Sequence, residues 1–242
     1  MLTELVLRPA TAEDMPELAE VYIATRRAAV PAMPPSIHDD ESVRQHMATM
    51  PSRREVWVAE DEQLVGFAAL DDVWLDSLYV GPQHQGSGVG SALLDLAKSL
   101  RPDGFALWVF ASNAPARAFY RRHGLIELEH TDGSANEERS PDVRLAWPGQ
   151  QPLSFLRSQI DHVDDDLALL LARRLALTAA VQGYKDRPGL EGRDPRREQV
   201  IVERMAKHAP GLGASRIQRV MDAVITESLN AWEARRDDVG SG

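Results

Sequence analysis

Residues 153–185 read LSFLRSQIDHVDDDLALLLARRLALTAAVQGYK, and their apolar side chains recur every three or four positions. A repeat with this spacing places its members on one face of an α-helix, so it predicts a long helix with a buried seam. One seam position, Arg174, is charged. The ten seam residues are Leu153, Leu156, Ile160, Val163, Leu167, Leu170, Arg174, Leu177, Val181 and Tyr184.

Arg174 needs an anionic partner, because an unpaired charge in an apolar seam is costly. The seam offers no acid, so the partner is either a carboxylate from another helix or a bound anion. Lys185 lies eleven residues later, within about 20° of the same face and about 16 Å further along the axis. Arg157 lies about 42 Å before Lys185 on a continuous helix, so it can reach the same small ligand only from a second, antiparallel copy of the chain.

This run of charges resembles that of the all-helical chorismate mutases, the AroQ class. The resemblance covers about residues 153–235 and rests on LRxxIDxVD at 156–164, the pair Arg173-Arg174, Lys185, and DPRRE at 194–198. It implies an all-α domain of three helices that forms an intertwined dimer and converts chorismate to prephenate.

The resemblance also implies a role for each polar residue of the site. A one-step rearrangement is accelerated by fixed positive charge beside the breaking C–O bond, so the mutase site needs no cofactor and no metal. The implied contacts are Arg174 and Arg197 with the two carboxylates of chorismate, Lys185 with the ether oxygen, Asp194 and Glu198 with the ring hydroxyl, and Arg157 with the site of the partner copy.

The last helix departs from the family pattern. Its apolar stripe places Ser228 and Trp232 inward, whereas the family has serine and then glutamine, or sometimes glutamate. An indole has one N–H and cannot replace the amide of glutamine at the ether oxygen. We therefore expect weaker mutase activity, or a related substrate such as an aminodeoxychorismate. In the alternative interpretation, Trp232 packs the bundle beside an inactive pocket.

Two other interpretations of the helical part stay open. It can act as a dimerisation or chorismate-sensing module, or its amine product can be the substrate of the preceding domain.

Asp194 before Pro195 is a helix N-cap with proline at the first position. A loop is predicted at 188–192 and a turn at 210–213, which gives three helices.

The first 147 residues have a different pattern, in which short β-rich runs alternate with helical segments. This alternation predicts a separate α+β domain. The runs are Leu5–Arg8, Glu55–Glu60, Leu64–Leu70, Val73–Val80, Phe105–Phe110, Ile126–His130 and Val143–Trp147.

A glycine-rich turn, LYVGPQHQGSGVGSALL at 78–94, joins one strand to a helix. Glycines let backbone N–H groups approach a phosphate, and the helix dipole attracts the anion. A Rossmann fold is excluded because its glycine fingerprint follows the first strand. With NAPARAFYRRHG at 113–124, the motif QxxGxG at 85–90 resembles the GNAT acetyltransferases over about residues 1–147. The resemblance implies a central mixed β-sheet and acetyl-CoA as cosubstrate.

In such a domain the strand containing Leu78 and Val80 splays from Phe105–Phe110, and pantetheine pairs with the open edge. Asn113 contacts the cofactor, and Tyr120 protonates the leaving thiolate, unless it only packs beside its neighbour Phe119. The backbone amides that bind the pyrophosphate belong to Gln85, Gly86, Ser87, Gly88, Val89 and Gly90.

The acetyl acceptor is a small-molecule or peptide amine that the sequence does not specify further. Asp76, Asp72 or a water chain can take its proton, and Asp76 is our choice. Two segments are candidate selectors: a loop at 131–139, and the region that contains Tyr22, Arg26, Met33, Pro34 and His38.

Charge also divides the chain. Residues 1–150 carry 13 basic and 23 acidic side chains, while residues 151–242 carry 14 of each. An acidic first domain is a poor partner for nucleic acid or an anionic membrane and favours a cationic amine. We predict domains at 1–147 and 153–236, a linker at 148–152 and a flexible tail at 237–242.

Composition excludes several classes of protein. The chain has no cysteine, so it has no disulfide framework and no thiol chemistry. Its seven histidines lack metal-ligand spacing. No apolar run approaches the length of a membrane span and no signal-peptide pattern is present, so we expect a soluble, cytoplasmic protein.

Overall fold

The computed structural model describes residues 4–185 and 193–240, with side chains up to 236. The chain divides into two compact units, Met1–Arg157 and Ser158–Gly242. The predicted loop at 188–192 lies outside the described residues. The domain boundaries at 147 and 153 stay a prediction.

The first unit contains a seven-stranded mixed sheet, as predicted. Its strand order is β1-β2-β3-β4-β5-β7-β6, and β4 and β5 are its one parallel pair. All seven predicted strands are confirmed, with ends that shift by no more than one residue. The strands are β1 Val6–Pro9, β2 Glu55–Asp61, β3 Gln63–Asp71, β4 Trp74–Val80, β5 Phe105–Phe110, β6 Ile126–His130 and β7 Asp142–Trp147.

Helices cover both faces of this sheet because apolar side chains point to each side of its central strands. Leu18, Met47 and Phe67 are buried on one face, while Leu93, Phe105 and Leu145 are buried on the other. The helices of this unit are α1 Met15–Ala28, α2 Asp40–Thr49, α3 Val89–Leu100 and α4 Ala114–Arg122.

The parallel pair β4 and β5 opens along its length. Its ladder contains a single Cα pair, Trp74 with Ala106, and the Ala106 N–H donates to the Val73 carbonyl at 2.9 Å. Beyond that pair the two strands separate around a cleft of about 500 Å³. The predicted separation of β4 from β5 is confirmed. It leaves backbone groups of β4 without a strand partner on the side that faces β5.

The second unit is built from the three predicted helices, α5 Pro152–Lys185, α6 Pro195–His208 and α7 Ala214–Gly240. Val202, Ile217 and Met221 form a small core between α6 and α7. The described side chains of α5 include none that is buried. The backbone of α7 continues four residues beyond position 236, into the segment predicted as a tail, and the tail stays a prediction.

No helix in the described segments combines the length and the apolar character that crossing a membrane requires.

Candidate active sites

The cleft between β4 and β5 contains the predicted general acid. Tyr120 comes from α4, lines the cleft and is 7% exposed. Its ring packs edge-to-face on Phe119 with centroids 5.2 Å apart, and burial raises the pKa of its phenol. The hydroxyl is therefore protonated near neutral pH, as a proton donor must be.

The glycine-rich turn presents backbone amides to solvent. Gly86 and Gly88 have φ of 76° and 99°, and a Cβ on either would meet no atom within 4 Å. Gly88 is the N-cap of α3, whose first-turn N–H groups receive no side-chain cap. An uncapped helix start beside open space suits an anion such as a pyrophosphate. The Gln85 side-chain amide donates to the Val80 carbonyl at 3.2 Å, which ties the turn to β4.

Asn113 lies at the start of α4 and also lines the cleft. Its Oδ1 accepts from the Ala116 N–H at 3.2 Å, so the side chain caps this helix. Leu78 lines the cleft on β4, and Val80 is buried at the end of the same strand.

The two predicted selector segments meet at this cleft. Arg26 is 5% exposed, and its Nη2 donates to Glu138 Oε1 at 2.9 Å. Its guanidinium also lies 5.5 Å from the Phe110 ring centroid. His38 Nε2 lies 2.7 Å from Glu137 Oε2. The 131–139 loop is therefore held against α1 and the region that follows it.

Asp76 lines the cleft, but its Oδ1 accepts from Arg54 Nη2 at 2.9 Å. The structure therefore pairs the proposed base with a cation. Asp142 is a cleft residue that the sequence analysis did not identify. It starts β7 and pairs with Phe110, and only this strand pairing, which the sequence does not reveal, brings it to the cleft.

In the helical unit, Arg174 contacts Ser228, which the sequence analysis placed on the inward stripe of the last helix. Its Nη1 donates to Ser228 Oγ at 2.7 Å and to the Val224 carbonyl at 3.3 Å. Ser228 is buried and donates in turn to the Val224 carbonyl at 2.6 Å. Within residues 4–185 and 193–236, no carboxylate lies within salt-bridge distance of Arg174. The structural salt bridge considered for this residue is therefore not formed with any described side chain.

The start of α6 brings three predicted residues together. Asp194 is the N-cap, and its Oδ1 accepts from the backbone N–H groups of Arg196 and Arg197 at 3.1 Å each. Glu198 accepts two hydrogen bonds from Arg193, at 2.8 and 2.6 Å. This arginine lowers the pKa of Glu198, so the carboxylate is ionised at neutral pH.

Arg193 was missed by the sequence analysis. It also donates to Asp222 Oδ1 at 2.9 Å and so links the start of α6 to α7. Arg193 directly precedes an N-cap, where a surface arginine is ordinary. Its contact with Asp222 becomes apparent only in the structure, where α7 approaches the start of α6.

A single chain does not bring all the predicted mutase residues to one place. Arg157 is exposed near the beginning of α5, while Lys185 ends the same helix. Arg197 is exposed and lines a shallow pocket of about 370 Å³ with two other arginines, Arg196 and Arg204. Trp232 is partly buried, and the Arg236 guanidinium lies 5.0 Å from its ring centroid.

Two protein families match different parts of the chain. The family described as chorismate mutase type II matches residues 156–232, and the acetyltransferase (GNAT) domain matches residues 52–125. The 4-amino-4-deoxychorismate mutase of Streptomyces venezuelae is 32% identical over 80 residues, which cover 32% of this chain and 78% of that protein. The T-protein of Enterobacter agglomerans is 42% identical over 81 residues, which cover 33% of this chain and 22% of that protein.

The first unit is similar to named acetyltransferases. The peptidyl-lysine N-acetyltransferase YjaB of Escherichia coli is 33% identical over 96 residues, which cover 39% of this chain and 65% of that protein. The matched segment thus spans just under two thirds of YjaB and a smaller part of the T-protein. The solution structure of apo-form YjaB superposes with a TM-score of 0.51 at 24% identity, over 61% of this chain and 99% of that one. The chain therefore belongs to the chorismate mutase type II family through its helical part, and a GNAT acetyltransferase domain precedes that part.

Proposed function

We propose that the protein is a bifunctional enzyme, an acetyl-CoA-dependent N-acetyltransferase joined to a mutase that rearranges chorismate or a close analogue. The observation that carries the mutase half is the Arg174 guanidinium, which is held by a hydroxyl and a carbonyl and has no carboxylate partner among the described residues. A cation without a carboxylate partner in an apolar seam suits an anionic guest. Both proposed substrates are cytoplasmic metabolites, so we propose a cytoplasmic protein.

In the proposed mutase reaction, the C–O bond of the enolpyruvyl ether breaks while a C–C bond forms, without transfer of a proton. Arg174 and Arg197 hold the two carboxylates, and Lys185 stabilises the charge that develops on the ether oxygen. Asp194 and Glu198 accept from the ring hydroxyl. Fixing the flexible arm over the ring lowers the entropic barrier.

We propose that the active mutase is a homodimer through α5. Eight of the nine apolar seam residues are exposed, with exposures of 50% to 77%. An apolar stripe along a 34-residue helix is normally covered, and a second copy also supplies Arg157 to the distant Lys185. The eight residues are Leu153, Ile160, Val163, Leu167, Leu170, Leu177, Val181 and Tyr184.

Adjacent leucines provide a matched test of this dimer. Leu170→Asp places a charge in the seam and should convert the dimer to monomers, with loss of mutase turnover, as measured by sedimentation and chorismate consumption. Leu169→Asp is the control, because Leu169 is 70% exposed and Leu170 is 61% exposed, but only Leu170 lies on the seam. Equal effects of the two substitutions, or a monomeric wild-type protein with full activity, would contradict the dimer.

Trp232 should limit turnover of chorismate. We expect Trp232→Gln to raise kcat about tenfold, because a hydrogen bond to a charged group contributes about 1.5–3 kcal/mol. Steady-state kinetics with chorismate measure the change, and Trp147→Gln on β7 is a control outside the helical unit. Unchanged or lower turnover would count against the proposed position of residue 232 at the ether oxygen.

An amino-substituted chorismate is the alternative substrate. The Streptomyces venezuelae relative is named a 4-amino-4-deoxychorismate mutase, and it is 32% identical to this chain. The ionised Glu198 can accept from a ring ammonium as readily as from a hydroxyl. Competition between the two substrates in one assay would show which has the higher kcat/KM.

For acetyl transfer, amides of residues 85–90 bind the pyrophosphate and the open edge of β4 pairs with pantetheine. The amine nitrogen attacks the thioester carbonyl carbon, the C–S bond breaks and the Tyr120 hydroxyl donates its proton to the leaving sulfur. Asp76 or water accepts the proton of the amine. Release of free CoA in the presence of an amine tests this activity.

A sensor role for the helical domain is the other candidate. It predicts that chorismate binds and changes the rate of acetyl transfer without being consumed. Binding with turnover excludes this role.

A further inference from the structure

The acceptor side of the GNAT cleft has an uneven distribution of charge. The described residues that line it include three carboxylates, Asp76, Glu138 and Asp142, and no lysine, arginine or histidine. Two of these carboxylates are neutralised from behind the lining, Asp76 by Arg54 and Glu138 by Arg26. The net charge of the cleft wall therefore depends on the third carboxylate, Asp142.

Asp142 is held by neutral donors. Its Oδ1 accepts from Thr131 Oγ1, and its Oδ2 accepts from Asn136 Nδ2 at 2.9 Å. No described cation lies within salt-bridge distance of it. These two bonds fix the orientation of the carboxylate without cancelling its charge, and each oxygen keeps a lone pair for a further donor.

Aromatic side chains also line the cleft. Trp108, Phe110, Tyr79 and Tyr120 line the cleft together with Met33. Such faces bury an apolar body and attract a cation through the ring quadrupole.

We propose that this cleft selects a primary ammonium on an apolar, uncharged body, that it rejects amines with a carboxylate beside the nitrogen, and that Asp142 determines this selectivity. The inference rests on the proposed acetyl transfer and names its acceptor class. An amine product of the mutase would carry two carboxylates and meet a wall of the same sign. The acceptor of the first domain is therefore not the product of the second.

The test uses the full chain, acetyl-CoA and two amines that share one body, 2-phenylethylamine and phenylalanine. We expect kcat/KM for 2-phenylethylamine to be higher by at least about tenfold, because the added carboxylate turns attraction into repulsion. Acetylation of phenylalanine at an equal or higher rate would overturn the inference and leave the acetyltransferase intact. Absence of CoA release with every amine would instead overturn the proposed activity and the inference with it.

Asp142→Asn removes the charge with little change of shape. It should reduce the ratio of kcat/KM for 2-phenylethylamine to kcat/KM for phenylalanine by about tenfold and leave the KM for acetyl-CoA unchanged. Asp95→Asn is the matched control, because Asp95 is exposed on α3 away from the cleft lining. A preference that survives Asp142→Asn in a variant that still binds acetyl-CoA would contradict the role of Asp142. Should that variant not fold, the wild-type comparison decides the acceptor class.

Discussion

Arg174→Ala should reduce mutase kcat/KM by about 10²–10³-fold while the dimer stays intact. The substitution removes the cation that we propose binds a substrate carboxylate, and it leaves Ser228 hydrogen-bonded to the Val224 carbonyl. Arg174 is partly buried and makes no ion pair with a described residue, so its loss exposes no unpaired carboxylate there. Chorismate consumption measures the activity and sedimentation measures the assembly.

Arg173→Ala is the neighbouring control, because that side chain is exposed and lies about 100° away around the helix. It should retain most of the activity. An inactive Arg174→Ala variant that is also unfolded or monomeric would show that the guanidinium serves stability rather than substrate binding. The variant Arg174→Lys then tests the positive charge separately from the shape of the guanidinium, since a lysine keeps the charge but lacks the planar group that fits a carboxylate.

Tyr120→Phe should reduce acetyl transfer by about 10²–10⁴-fold, the usual range for loss of a general acid. Burial raises the pKa of this phenol, so the wild-type hydroxyl stays protonated through neutral and moderately alkaline pH. The activity of the wild type should therefore show no alkaline loss from Tyr120 in that range. CoA release with 2-phenylethylamine, followed from pH 6 to about pH 9, measures both effects.

The phenylalanine variant keeps the aromatic contact with Phe119, so binding of acetyl-CoA should be unchanged. Calorimetric titration with acetyl-CoA provides that control. Full activity of Tyr120→Phe would mean that the residue only packs in the core and that water protonates the thiolate.

The sequence predicted the strands closely because each has a local signal. A β-rich run bounded by turn residues, as at 105–110, determines its own ends without tertiary information. The 3,4 spacing of the seam likewise predicted one long helix, which α5 confirms, but it did not predict the contact of Arg174 with Ser228.

Contacts across elements escaped prediction for a physical reason. Asp142 reaches the cleft because β7 pairs with β5, and Arg193 binds Asp222 because α7 packs on α6. Neither contact has a local pattern, since the partners are distant in sequence. The same is true of Arg26, whose ion pair with Glu138 joins residues more than a hundred positions apart.

Incubation of the full-length protein with chorismate, with chromatographic identification of the product, tests the central claim most directly. If the site around Arg174 on α5 binds the dianion and rearranges it, chorismate disappears and prephenate accumulates without any added metal or cofactor. Recovery of both chorismate and its 4-amino analogue unchanged, with no heat of binding for either, would contradict the account.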